Sequence, residues 1–526
     1  MPLALLLASV LLVSACFGRA TPELVKTTSG LLRGQVEANG VLSFKGIRFA
    51  HPATGDRRWE PPAPFVSTVS QNATHFGPAC VQQFNGITGA LDERVFNNPS
   101  NPPVEDEDCL FLNVWKPATD VANLPVLVWI YGGGLAFGTA SVPEYDGLSI
   151  SANEKLIMVS FNYRTNVFGF PGAPDLPLTG NNLGFLDQEL AFKWVQENIA
   201  QFGGDPQKVT IMGQSAGSQS TSAAISRHSA DDAPFRAAIM LSGADVSTSP
   251  IPSFAAFDSF AAAVGCTQVP GATRLACLRR VPSAVIRTFT NQLAAPNFLP
   301  LIDNVTLFSD PLQRIRTGKT ARVPFILGNT QDDGTIVSVN LPDNLTAALD
   351  EFVSPFARTT VTADQVRPLY PGLNDTAIIA ATLRDILFLC PASLWTAAAV
   401  DAGIADVHRY AYGPVFADLQ LFPGAGAWHS SELPEIFGTF NRSTATASEV
   451  TLSGTMQNIV GNFVRNPTVS PALNWPKYIP GSATKTLAKL AYNGNVLVDD
   501  VLQAVQSDSL DTPCAAFWNQ FLDVRF

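Results

Sequence analysis

Gly213-Gln214-Ser215-Ala216-Gly217 follows an apolar run at 209–212 and precedes a stretch of small residues, 218–226, that can form a helix. Strand, sharp turn and helix in that order make a nucleophile elbow. The flanking glycines leave room where side chains would crowd the serine. The Ser215 Oγ is thereby exposed at a helix N-terminus, where developing negative charge is tolerated. The chemistry this implies is acyl transfer through Ser215.

A serine needs a base, usually histidine, and a carboxylate that fixes the imidazole tautomer. The chain has five histidines: His51, His75, His228, His408 and His429. On the elbow fold the partners follow in the order serine, acid, histidine. His51 and His75 precede Ser215 and fit poorly. His228 falls at the far end of the helical segment after the elbow, with no suitably placed acid before it. His408 opens an apolar strand, where a structural role is expected. His429 lies in Gly424-Ala425-Gly426-Ala427-Trp428-His429-Ser430, a small-residue loop that can bring an imidazole to Oγ. The acid is expected between Ser215 and His429, just past a strand end. The apolar run at 323–327 leads into Gly328-Asn329-Thr330-Gln331-Asp332-Asp333-Gly334-Thr335. Asp332 and Asp333 both fit by spacing, and Gly334 favours Asp333 because the chain can turn there. The other aspartate would serve as a cap or a solvated carboxylate.

Acyl transfer also needs donors aimed at the developing oxyanion. Tyr131-Gly132-Gly133-Gly134 follows an apolar strand, and glycine amides can face a substrate with no Cβ in the way. Gly133, Gly134 and Ala216 are the candidate donors. The cluster lacks the lysine and the serine or threonine of a phosphate-binding loop.

The elements that must position these residues alternate. Residues 124–131, 156–163, 209–212, 237–241, 323–327, 407–412 and 496–498 read as strands, and 186–201 carries helical spacing. Apolar runs without polar alternation are buried on both faces. Their alternation with helices predicts a mostly parallel sheet covered by helices. Residues 30–65 read as small antiparallel strands, and 80–109 as a long loop or a loop with a short helix. No repeat or linker divides the chain, so one domain with inserted loops is expected over 21–526.

Residues 2–15 are apolar and too short for a confident membrane span, which suggests a secretory signal over 1–20. Beyond Cys16 six cysteines remain: Cys80, Cys109, Cys266, Cys277, Cys390 and Cys514. An even number in a secreted chain implies disulfides, with 15 possible pairings. No cysteine–histidine cluster suggests a metal site. N-glycosylation sequons occur at Asn72, Asn304, Asn344, Asn374 and Asn441. The net charge of -11 disfavours nucleic acid and anionic membranes as partners.

Taken together, the chain resembles the type-B carboxylesterase/lipase family of the α/β-hydrolase fold, which includes cholinesterases and secreted fungal lipases. The resemblance rests on FKGIRFA (44–50), EDCLFLNV (107–114), WIYGGG (129–134), FNYR (161–164), NLGFLDQ (182–188), FGGDP (202–206), GQSAG (213–217), GNTQDDGT (328–335) and HSSELPEIFG (429–438). It implies Ser215 as nucleophile, Asp333 as acid and His429 as base, with Gly133, Gly134 and Ala216 forming the oxyanion hole. It also implies ion pairs Arg58–Glu107 and Arg164–Asp187, and disulfides Cys80–Cys109, Cys266–Cys277 and Cys390–Cys514. No cofactor is implied. The expected activity is hydrolysis of soluble or micellar carboxylic esters, possible contact with a lipid interface included. Long-chain triacylglycerol lipase, sterol esterase, and feruloyl or other aryl and acetyl esterase are the other enzymatic readings. A non-catalytic adhesion relative would lack a triad member, and here every role is filled.

The sequence departs from the family pattern at three points, of which the last two bear on substrate. Asp333 stands where glutamate is usual. Gln214 replaces a glutamate beside the nucleophile, which lowers the negative potential and disfavours cationic substrates. The 80–109 loop has no tryptophan to hold a quaternary ammonium. That loop matches the family's lid region, and Phe84, Ile87, Leu91, Val95 and Phe96 are its candidates to line an acyl site.

Overall fold

The computed structural model describes residues 24–85, 89–98, 100–119, 121–246, 253–357, 359–481, 484–491 and 501–522. The leader expected at 1–20 and the strand expected at 496–498 lie outside these residues, as does Ile87.

The strands, in chain order, are β1 (Leu24–Thr27), β2 (Gly30–Arg33), β3 (Gln35–Val36), β4 (Val41–Arg48), β5 (Ser70–Asn72), β6 (Phe111–Pro117), β7 (Leu124–Ile130), β8 (Ile157–Phe161), β9 (Gly204–Gln214), β10 (Ala237–Leu241), β11 (Phe325–Thr330), β12 (Val407–Tyr412), β13 (Lys485–Leu490) and β14 (Leu502–Gln506). Eleven form one sheet in the order β14-β13-β12-β11-β10-β9-β7-β8-β6-β4-β3, and β1, β2 and β5 form a small separate sheet. From β8 across to β13 neighbouring strands run parallel. Antiparallel pairing is confined to the flanks, β3–β4–β6–β8 on one side and β13–β14 on the other. The fold is the expected α/β-hydrolase, with a mostly parallel core.

Continuous apolar sequence explains the parallel core. Val126, Leu127, Val128, Trp129 and Ile130 of β7 and Ile211 and Met212 of β9 have no exposed surface. Each such aliphatic side chain contributes about 1.5–3 kcal/mol by leaving water. Helices cover both faces, as parallel strands require. The expected helix at 186–201 runs Leu183–Asn198, followed by a 3₁₀ turn, Ile199–Phe202. β11 begins two residues later than expected, because Pro324 cannot donate to a ladder. It continues to Thr330, and its polar end is buried because it enters the site.

Among the described residues one helical run, Asp375–Asp401, is long and apolar enough to cross a membrane, and 67% of its apolar window is buried inside the fold. Its Trp395 packs edge-on against Phe325 of β11, so the run is a covering layer of the sheet.

The structure joins Cys80 to Cys109, Cys266 to Cys277 and Cys390 to Cys514. Arg164 holds Asp187 through Nε and Nη2 at 2.8 and 2.7 Å. Arg58 Nε donates to Glu107 Oε2 at 2.6 Å, and its Nη1 donates to the carbonyls of Leu278 and Val281. The second pair thus fastens the small Cys266–Cys277 segment to the base of the 80–109 loop.

Candidate active site

Ser215 sits between β9 and helix α1 of the site, Ala216–Arg227. Its backbone has φ 57° and ψ −124°, a strained conformation for a residue with a Cβ. The turn is tight enough that a Cβ on Gly213 would collide with the Gly217 carbonyl. One on Gly217 would collide with the carbonyl of Ile130 in β7. Those two glycines are therefore conditions for the elbow.

Asp333 follows β11 and directly precedes helix α2, Gly334–Ser338. His429 comes from the loop after β12. Its Nδ1 lies 2.7 Å from Asp333 Oδ1. The other carboxylate oxygen accepts from Ser242 Oγ at 3.0 Å and from the Thr330 amide at 2.9 Å. Asp333 is fully buried, and these donors satisfy both of its carboxylate oxygens. A carboxylate on Nδ1 fixes the tautomer, so that neutral His429 carries its lone pair on Nε2. Gln214 Nε2 donates to that lone pair at 3.1 Å. Gln214 is thus the resting partner of that nitrogen.

Asp332, the alternative acid, turns to a different task. Its Oδ2 accepts from the Ala427 amide at 2.9 Å, and its own amide donates to the Ala427 carbonyl. These bonds tie the histidine loop to the acid loop two residues before His429. Burial pushes the Asp332 carboxyl above its ordinary range. Ser242, at the end of β10, was not found by sequence reasoning. Its only signal is its place in Leu241-Ser242-Gly243, directly after an apolar strand.

Gly133 and Gly134 have φ of 96° and 60°, and a Cβ on Gly134 would meet no atom within 4 Å, so its face is open to the cavity. Ala216 is the first residue of α1, and its amide has no acceptor within the helix. Gly133, Gly134, Ser215 and His429 line one cavity of about 200 Å³, with Phe96, Phe137, Ile336 and Phe388.

The 80–109 loop forms part of that wall. Residues Gly89–Phe96 are helical; Leu91 packs with Ile336 and Trp428, and Phe96 stacks on Phe137 at 5.9 Å. Phe84 packs on the opposite part of Phe137, at 4.9 Å. The base of the loop is fastened. Asn291 accepts from the Phe84 amide, and Gln83 and Asn85 donate to the carbonyls of Pro296 and Ala295. Gln82 bonds Asn97 at 2.6 Å, and Arg287 pairs with Glu105 at 2.7 Å.

The remaining histidines lie elsewhere. His408 is buried in β12 with Nδ1 on the Pro476 carbonyl, and burial lowers it to about 4. His228 pairs with Glu189 at 3.0 Å, His75 with Thr74, and His51 packs on Phe65. Among the described residues no group of three or more His, Cys, Asp or Glu side chains is arranged for a metal ion.

Behind His429, Glu432, Glu435 and Glu449 are all buried. Among the described residues the Glu432 carboxyl has no hydrogen-bonding neighbour beyond its own backbone, and the Glu435 carboxyl meets only its own backbone and the Tyr412 hydroxyl. Burial pushes Glu432 well above the carboxylate range and Glu435 to about 8. Sequence reasoning quoted these glutamates only as part of a motif.

The chain is similar to known proteins along most of its length. The family model described as "Carboxylesterase family" matches residues 21–511. The chain is 32% identical over 481 residues to para-nitrobenzyl esterase of Bacillus subtilis (strain 168), covering 87% of this chain and 93% of that protein. It is 32% identical over 502 residues to secreted lipase 1 of Botryotinia fuckeliana (strain B05.10), covering 84% and 85%. A solved thermophilic pNB esterase superposes with a TM-score of 0.71 at 29% identity, covering 89% of this chain and 96% of that one. The chain belongs to the type-B carboxylesterase/lipase family, and it is a carboxylic-ester hydrolase.

Proposed function

We propose that this protein hydrolyses soluble or micellar carboxylic esters through an acyl-enzyme on Ser215. The observation that carries this reading is the convergence of Ser215, His429, Gly133 and Gly134 on one cavity, with Asp333 bonded behind the imidazole and Ala216 directly after the serine. His429 Nε2 takes the Ser215 proton as Oγ attacks the ester carbonyl. The three amides stabilise the oxyanion. His429 then protonates the leaving alcohol, and water repeats the sequence on the acyl-enzyme. Asp333 stays ionised throughout and orients the ring.

The small cavity and the fastened loop favour short acyl chains. A second apolar cavity of about 250 Å³, which shares Gly134 and is lined by Leu135, Phe185, Leu307, Leu387 and Leu522, favours the longer-chain reading. A matched ester series from acetyl to palmitoyl, in solution and in micelles, separates the two. kcat/KM peaking at short chains supports the esterase; a rise toward palmitoyl in micelles supports a lipase or sterol esterase. Ser215→Ala is the blank, and a product burst from that folded variant would remove Ser215 from the mechanism. Residues 1–20 are read as a secretory leader and 21–526 as the mature catalytic domain. The exposure of Asn72, Asn304, Asn344, Asn374 and Asn441 is in keeping with a secreted glycoprotein.

A further inference from the structure

The helical run Asp375–Asp401 is interrupted beside the active site by a π-helical turn, Asp385–Leu389, in which the Cys390 amide donates to the Asp385 carbonyl five residues back. One extra residue in a turn rotates the following side chains by about 100° around the axis. Such turns are uncommon and recur at functional sites. Here the turn brings the ring of Phe388 against the imidazole of His429, with centroids 4.4 Å apart and planes 27° from parallel. Phe388 is 6% exposed and also lines the catalytic cavity.

The turn is held from behind. Tyr370 Oη donates to Asp385 Oδ2 at 2.7 Å, and Trp518 Nε1 donates to Tyr370 Oη at 2.8 Å. The disulfide joins Cys390, directly after the turn, to Cys514, which begins a second π-helical turn, Cys514–Trp518. The C-terminal segment thus fixes the placement of Phe388, although it supplies no triad residue.

We propose that Phe388 is a positioning residue for His429. Its face keeps the ring aligned between Asp333 and Ser215, and its π electrons stabilise the imidazolium formed when His429 takes the serine proton. The inference rests on His429 being the base. Other groups also face the imidazole or its surroundings. Asp333 bonds Nδ1, the neutral Gln214 amide bonds Nε2, and Asp92 stands across the cavity on the loop helix. Asp332 and Glu432 are both held above the carboxylate range by burial. With an amide rather than a carboxylate at position 214, an aromatic face is a second source of stabilisation for the cation.

The test compares Phe388→Leu, Phe388→Met and Phe388→Tyr with the parent protein. An acetyl ester is the substrate, because its acyl group does not reach far along the wall. Loss of a cation–π contact worth about 0.5–1 kcal/mol corresponds to a roughly two- to fivefold fall in kcat. The acid limb of the kcat/KM profile moves down by roughly half a pH unit in the Leu and Met variants, because the cation has lost a partner. Phe388→Tyr restores both. The His429 imidazole is also titrated by ¹⁵N NMR, which needs no turnover. A parent protein that forms no acyl-enzyme would defeat the proposed function, while the NMR titration would still judge Phe388. Unmoved kcat, acid limb and NMR midpoint, with changes only in KM or acyl preference, would overturn the proposal and leave Phe388 as cavity wall.

Discussion

Glu435→Gln should make this protein more stable in mild alkali and leave it unchanged in acid. Glu435 lies on the short helix Leu433–Phe437, with no exposed surface. Among the described residues its carboxyl meets no cation, and its hydrogen-bonding neighbours are its own backbone and the Tyr412 hydroxyl. Desolvation is the main cause that pushes it from 4.5 to about 8, and nearby Glu449 adds to the shift. The folded state therefore holds a proton that the unfolded chain gives up. Below about pH 4.5 both states are protonated, and the group costs nothing. As the pH rises toward 8 the unfolded chain ionises first, and stability is lost. The loss amounts to about 3 kcal/mol at pH 7 and approaches about 5 kcal/mol above pH 8.

Glutamine has the same shape and cannot ionise, so the variant escapes this loss. Thermal unfolding of both proteins from pH 4.5 to 9 reads the difference. The two melting temperatures should coincide near pH 4.5 and separate by about 3–5 °C at pH 8–9, the scale expected for a chain of this length. Parallel curves across the range would refute the claim that Glu435 is buried as the neutral acid. Glu432 remains in both proteins, so the difference between the curves belongs to position 435.

Two further outcomes follow from named contacts. Gln214→Glu places a carboxylate where the amide now sits 3.1 Å from His429 Nε2. At about 4 Å and an effective dielectric near 20 the attraction to an imidazolium is roughly 4 kcal/mol, most of it offset by burying the new charge. The acid limb of kcat/KM should rise by about one pH unit, and a limb that stays in place would show that Gln214 does not couple to the base. The disulfides span 29, 11 and 124 residues. Loop-closure entropy then ranks their contributions at about 3.6, 2.8 and 4.9 kcal/mol. Removal of Cys390–Cys514 should depress the melting temperature most and removal of Cys266–Cys277 least; the reverse order would contradict the loop-closure account.

The central strands were legible because burial on both faces leaves no polar residue to interrupt the pattern. β10 and β12 have the expected bounds, 237–241 and 407–412. β13 was not anticipated: Lys485 and Lys489 break its apolar run, and only the antiparallel partner β14 makes it an inner strand. The nucleophile's surroundings were legible because the elbow tolerates so few residue types. Asp332 and Asp333 could not be separated by spacing, since both follow the same strand end. The structure separates them: Asp333 meets His429 Nδ1, while Asp332 turns to the Ala427 amide. Ser242 and Phe388 were invisible for a different reason. Each acts through a contact between segments far apart in sequence, and the π-helical turn that delivers Phe388 has no sequence signature.

The electrostatics of the site come down to how few charges it keeps. The Asp333 carboxylate is satisfied on both sides, two donors on one oxygen and His429 on the other. Glu432 is near enough to feel that charge, and the repulsion adds to burial in keeping it protonated. Were Glu432 ionised, it would stand as a second buried charge without a partner, at a cost of several kcal/mol. Gln214 supplies a dipole in place of a charge, and Phe388 a quadrupole. In the mechanism proposed above, the only new ions formed when Ser215 attacks are the imidazolium and the oxyanion. On that reading Asp333 and the Phe388 ring already stand against the first, and Gly133, Gly134 and Ala216 offer their amides to the second. A site arranged in advance in this way has little reorganisation left to do in the transition state. It also has no standing negative charge at position 214 with which to attract a cationic substrate.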